Sequence, residues 1–139
     1  MRSNVNVSRI VRTAGCCGVR RVIVCGRPKL DPEITRDALH YVTVEMHRTL
    51  APVLRRLREE GFLLVGLEQT DRSKVLFEFA FPKRCVLVIG NERLGIDSET
   101  LRLLDAVVEI PVYGQPASYN AAAAADMALY EYCRQYPFG

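Results

Sequence analysis

Tryptophan is absent, histidine occurs only twice, and none of the five cysteines forms a C-x-x-C pair. His40 and His47 have no partner at metal-ligand spacing, so no resident metal is expected. No apolar run reaches the roughly 18 residues needed for a membrane-crossing helix, so no membrane association is expected either. Met1–Asn4 carries no apolar signal-peptide segment. The cysteines (16, 17, 25, 85 and 133) are odd in number and mostly lie in or beside apolar stretches. They are expected to be reduced, buried thiols of a cytoplasmic protein. Two phosphate-binding signatures are also missing. There is no G-x-G-x-x-G, which argues against a Rossmann dinucleotide site, and no Lys-Ser/Thr follows the glycine-bracketed loop 90–95, which excludes a Walker A loop.

What is present is an ordinary globular balance, with 49% hydrophobic and 25% charged residues over 139 positions. By length this is one domain, residues 1–139, large enough to bury a core. Net charge is only +3, yet the first 30 residues hold seven basic side chains and no acidic one. A basic end of this kind suits a polyanion, because neutralised phosphates release counterions. A plain solvated basic surface would look the same.

Periodicity predicts a first helix over 7–17, with Ile10, Val11 and Ala14 on one face and Gly18 as its stop. A strand follows at 21–25, then a loop with a short helix from Asp31, and a brief edge strand at 41–44. Leu50, Val53, Leu54 and Leu57 stand at i, i+3, i+4 and i+7, predicting a helix over 49–60 with Arg55, Arg56 and Arg58 towards water and Gly61 ending it. Strands are expected at 62–67, 85–89 and 106–110. A short helix at 98–104 has Asp97 or Ser98 as N-cap. The last helix, 120–134, has a broad apolar face and should be substantially buried. Alternation of apolar strands with helices implies an α/β fold, a mainly parallel sheet covered on both faces.

Three polar loops stand where strands end and helices begin, the place where open α/β sheets bind ligands. Gly90-Asn91-Glu92 follows the 85–89 run, Ile110-Pro111 follows the next, and Ser118-Tyr119-Asn120 opens the last helix. Each has a purely structural explanation. Glu92 could be an exposed loop carboxylate, Pro111 a block to further sheet pairing, and Ser118 or Asn120 a helix cap.

Taken together and in order, G-N-E, I-P and S-x-N resemble the second and third motifs of the SpoU (TrmH-like) branch of the SPOUT RNA methyltransferases. Asn6-x-Ser8-x-Ile10-x-Arg12-Thr13, followed by Gly18, is similar to the family's first motif. The resemblance runs over about residues 4–135. It implies an α/β-knot with a C-terminal trefoil knot, an exception to the rule against threaded connections. It also implies S-adenosylmethionine as cofactor and methyl transfer to a ribose 2′-hydroxyl of RNA, with transfer RNA favoured over ribosomal RNA. By the same resemblance the chain is a homodimer whose active site lies at or near the subunit interface.

Residue by residue, the resemblance makes Arg12 the main catalytic candidate, beside Asn6, Glu92, Ser118 and Asn120. Asn6 could cap the first helix, or orient Arg12 and the RNA backbone. Leu67, Gly90, Ile110, Ser118 and Tyr119 are the expected cofactor-binding positions. A neutral, flat adenine needs apolar walls and a few backbone donors. A guanidinium is always charged and cannot serve as a base in its ordinary state, so stabilising developing alkoxide charge suits Arg12 better. The chain departs from the family pattern at Ser8, where glycine is common, at Tyr119, where leucine is usual, and in the alanine run 121–125. Tyr119 and that run motivate a competing possibility, a non-catalytic RNA-binding or assembly module on the same fold.

Overall fold

The computed structural model describes residues 4–139 and divides into two compact units, ending and starting at Thr49 and Leu50. The first unit contains helix α1 (Asn4–Cys16), strand β1 (Arg21–Cys25), the short helix α2 (Pro32–Thr35), a 3-10 turn at Arg36–His40 and strand β2 (Thr43–His47). Val7, Ile10, Val11 and Ala14 form the buried face of α1. Val7 and Val11 pack with Val24 and Ala38. Two side chains of α1 also organise the loop after β1: Asn4 Oδ1 accepts from Lys29 N at 3.0 Å, and Ser8 Oγ accepts from Asp31 N at 3.0 Å. Asp31 in turn caps α2 through Glu33 N.

β1 and β2 pair in parallel from Arg21↔Thr43 to Cys25↔His47. The edge strand expected at 41–44 therefore starts two residues later and runs on to His47, because its register against β1 decides where pairing begins. On this sheet Glu45 is hydrogen-bonded by Arg21 and His47. The bond from Arg21 is the main reason its carboxyl lies below the usual carboxylate range, and burial opposes it.

The second unit contains α3 (Ala51–Glu59), β3 (Leu63–Leu67), β4 (Lys74–Val75), β5 (Cys85–Ile89), α4 (Ser98–Leu103), β6 (Ala106–Glu109) and α5 (Ala121–Gln135). Its four strands lie in the order β4-β6-β3-β5, every pair parallel. Side chains alternate across such a sheet, and here both sides are dry. Leu64, Val88 and Val107 face Leu54 of α3 and Leu104 just beyond α4. Val65 and Val108 face Ala128 of α5, with Leu76 and Phe81. The sheet expected to be parallel and covered on both faces is thus present in this unit.

Polar groups fix the joints. Asp105 accepts from Leu64 N through one oxygen and from Arg58 Nη2 through the other, each at 2.8 Å. At the far end of α5, the Gln135 amide donates to Phe79 O and accepts from Phe81 N, each at 2.8 Å. Phe79, Phe81, Tyr132 and Tyr136 stack edge-on or tilted beside it.

Three expectations need correction. α5 is not substantially buried: only Ala122, Ala125 and Ala128 are, a line one residue wide at i, i+3, i+6, while Tyr130 is 74% exposed. Small alanines carry the fully buried contact; Tyr132 packs against the same core only in part, and Met127 and Tyr130 are exposed. The five thiols are all free, as expected, but none is fully buried, and Cys16 is exposed. Sitting beside an apolar run does not decide which side of the run a thiol faces. Asn6 is not the cap of α1, since the helix already includes Asn4. Among the described residues no helix is long and apolar enough to cross a membrane.

Candidate active site

In the second unit, parallel pairing aligns the ends of β3 and β5 at Leu67↔Ile89, and of β3 and β6 at Leu67↔Val108. Strands that end together leave their outgoing loops along one edge of the sheet. A cavity of about 260 Å³ opens there. Leu67, Ile89, Ile110, Val112, Ala121 and Ala124 give it apolar walls; Glu68, Glu92, Arg93, Glu109 and Ser118 bring polar groups to it. Tyr119 lines it while remaining 42% exposed.

The loop after β5 is a closed miniature hairpin. Asn91 N donates to Gly95 O at 3.1 Å and Gly95 N to Asn91 O at 2.8 Å. Asn91 Oδ1 then accepts from the amides of Arg93 and Leu94, which turns the tip. Glycine is required at both ends. A Cβ on Gly90 would meet the Gly95 carbonyl carbon at 2.3 Å, and Gly95 has φ +70°, a conformation that L side chains rarely adopt. The loop leaves through Asp97, whose carboxylate accepts from Thr100 N at 2.7 Å and caps α4. That bond holds the Asp97 carboxyl below its ordinary value.

Of the residues nominated from sequence, Leu67, Gly90, Glu92, Ile110, Ser118 and Tyr119 are brought together around this cavity. Asn120 is placed differently. Its Oδ1 accepts from Ala122 N at 2.9 Å and Ala123 N at 3.2 Å, so it caps α5. Of the two capping candidates at this point, the side chain of Asn120 serves and Ser118 is left to the cavity. Arg12 and Asn6 belong to the first unit, both on α1: Arg12 is exposed and Asn6 buried. Arg12 shares an exposed stripe of α1 with Val5, Arg9 and Cys16, at i, i+4, i+7 and i+11.

Sequence reasoning missed Glu68, Gln69, Arg93, Glu109 and Val112 as lining residues. A signal for the first two was available, since Glu68-Gln69-Thr70 are the polar residues directly after an apolar strand. Glu109 is held by Ser73, whose Oγ lies 2.7 Å from its Oε1. That long-range pair leaves no local pattern. Among the described residues, no three His, Cys, Asp or Glu side chains gather as a metal site.

An open parallel sheet with a cavity at its carboxyl edge defines an α/β ligand-binding protein. Residues 1–130 match the model of the SpoU rRNA Methylase family, and the chain belongs to that family. It is 29% identical over 133 residues to the tRNA (guanosine(18)-2′-O)-methyltransferase of Escherichia coli K12, covering 94% of this chain and 58% of that enzyme. The chain thus spans little more than half the length of that relative. Among solved structures, the TrmH/SpoU tRNA modifying enzyme of Aquifex aeolicus superposes with a TM-score of 0.91 at 29% identity, over 99% of this chain and 72% of that one. The SpoU methyltransferase AviRb of Streptomyces viridochromogenes, solved with AdoMet, gives 0.83 at 31% identity, over 99% of this chain and 58% of that one.

Proposed function

We propose that this chain, residues 1–139, acts as one SpoU-type domain that transfers a methyl group from S-adenosylmethionine to a ribose 2′-hydroxyl of RNA. The observation that carries this is the gathering of Leu67, Gly90, Glu92, Ile110, Ser118 and Tyr119 around one cavity at the strand ends. Five of them come from the three separate loops nominated from sequence, and Leu67 ends β3. The cavity fits such a cofactor chemically. Leu67, Ile89, Ile110 and Val112 offer apolar walls to an adenine ring, and Glu92 and Glu109 offer negative charge to a cationic sulfonium and amino group. When bound, the cofactor supplies an electrophilic methyl group.

The chain's own residues would do the rest. Gly90 and the backbone of 110–112 and 119 hold the cofactor; Glu92 and Ser118 orient the reacting groups at the mouth. Asn120 contributes through its cap, which fixes the start of α5 and so the placement of Ser118 and Tyr119. As the methyl group leaves sulfur and bonds to the 2′-oxygen, the hydroxyl proton passes to solvent water. Arg12 stabilises the negative charge that develops on that oxygen, with Asn6 orienting Arg12 and the RNA backbone. Transfer RNA is the favoured substrate, in keeping with the names of the Escherichia coli and Aquifex relatives, although the family description names ribosomal RNA. A homodimer in the cytoplasm completes the proposal. The exposed Met127 and Tyr130 of α5 support the first part and the free cysteines the second.

The test is transfer of labelled methyl from S-adenosylmethionine into separate transfer and ribosomal RNA pools, followed by nucleoside analysis. A 2′-O-methylated nucleoside from the transfer RNA pool is expected. Folded protein that neither binds the cofactor nor labels either pool would favour the non-catalytic RNA-binding module.

A further inference from the structure

Glu68 stands one residue past the end of β3, and its backbone N still donates to Val108 O at 3.0 Å, extending the pairing with β6. Its side chain turns back to the neighbouring loop. Oε2 accepts from Ile96 N at 3.0 Å, and Oε1 accepts from Gln69 N at 3.0 Å. Ile96 is the first residue after the closed hairpin 90–95. The approach is so close that a Cβ on Gly95 would lie 2.2 Å from Glu68 Oε2. The hairpin's own bonds set its shape, whereas the bond from Glu68 sets its position relative to β3. Glu68 itself lines the cavity, and so do Asn91, Glu92, Arg93 and Gly95 of the hairpin that Ile96 follows.

We propose that Glu68 is a positioning residue, a carboxylate latch that holds the Glu92-bearing hairpin at the spacing the cofactor requires. This rests on the function proposed above. The chemistry explains why the residue is a glutamate. An ionised carboxylate only accepts, so each oxygen can take one backbone N–H. A glutamine has one accepting oxygen and would turn its NH2 group against one of the two donors. An aspartate keeps the charge but is one methylene short of spanning Gln69 N and Ile96 N together.

The experiment uses the full chain, wild type and the variants Glu68→Gln and Glu68→Asp. S-adenosylmethionine affinity is measured by calorimetry, amide hydrogen exchange by NMR, and methyl transfer on bulk transfer RNA as a function of both substrates. A hydrogen bond to a charged acceptor is worth about tenfold or more in an equilibrium constant. Both variants are therefore expected to weaken cofactor affinity about tenfold and raise KM for the cofactor alike. kcat at saturating cofactor and KM for RNA should stay within about twofold. Ile96 N–H exchange should quicken while the amides of β3 and β5 keep their protection, which a general loss of structure would not produce.

Unchanged affinity in Glu68→Gln would overturn the latch. So would wild-type affinity in Glu68→Asp, since charge alone would then suffice, or uniform loss of protection across the sheet. Wild-type protein that fails to bind the cofactor brings down the proposed function and the latch with it; wild-type binding with indifferent variants brings down the latch alone.

Discussion

The two units solve different problems with the same kind of parallel pairing. The first, residues 4–49, is a two-stranded sheet with a single small core of Val7, Val11, Val24 and Ala38, and it carries eight basic side chains to four acidic ones. The second, from Leu50, is a four-stranded sheet with a core on each face, and its basic and acidic residues are nearly balanced, ten to twelve. Three of its carboxylates line the cavity against a single arginine. A cationic small molecule suits the second, and a polyanion suits the exposed arginines of the first. Under the proposed function the two units would contribute differently: strand-end loops to hold a cofactor in one, cationic charge towards an RNA in the other.

The sharpest way to break that division is Arg12→Ala. Loss of an electrostatic stabiliser should lower methyl transfer about 10²- to 10³-fold, measured by label incorporation, with cofactor affinity unchanged by calorimetry. If affinity falls as well, the division of labour is wrong. Core truncations test the structural half of the contrast. Leu64→Ala empties a fully buried site in the two-faced sheet and should cost about 3–4 kcal/mol in denaturant unfolding. Val11→Ala, equally buried in the smaller core, should cost about 2 kcal/mol, because fewer methylenes are lost. Equal losses would show that the Leu64 site closes around its vacancy more fully than the Val11 site does.

A smaller effect sharpens the account of the loop exit. Asp97→Ala removes the cap of α4 and should destabilise by about 1 kcal/mol. The Asp97 carboxyl is held below its ordinary value by the Thr100 bonds. Its contribution is therefore fully present above about pH 4, where the unfolded carboxyl is ionised. It fades as pH falls through the lowered folded value, so the variant and wild type should converge in stability in strong acid. The smallest perturbation is chemical labelling. Cys16 is exposed, whereas burial pushes the Cys85 thiol up to about 11. Thiolates are the reactive form, so iodoacetamide at pH 8 should modify Cys16 and spare Cys85 in the folded protein. Equal modification would show that burial does not hold the Cys85 thiol protonated.

Much of the fold was legible because local rules carry it. Gly18 and Gly61 have positive φ where each helix was expected to stop, and of the two caps offered for the short helix, Asp97 and Ser98, Asp97 is the one that serves. The 3-10 turn at 36–40 and the two-residue β4 were not legible. Their sequences have no period, and pairing with β6 alone makes residues 74–75 a strand. For the site, the nominated residues of the second and third motifs reached the cavity with the exception of Asn120, whose capping role was the stated alternative. Glu68 went unnoticed because its partner is 28 residues away, and sequence proximity says nothing about Ile96 N.

By itself, then, the sequence determined the longer helices and strands, their order, the parallel pairing that alternation implies, and three polar loops in a recognisable succession. It could do so because propensity, capping and periodicity act over a few residues. The tertiary structure alone decided which strand ends stand side by side, which face of α5 is covered, that Asn120 caps while Ser118 lines the cavity, and that a carboxylate after β3 pins the hairpin after β5. Those outcomes depend on register and close packing between segments far apart in the chain, and no local pattern encodes them.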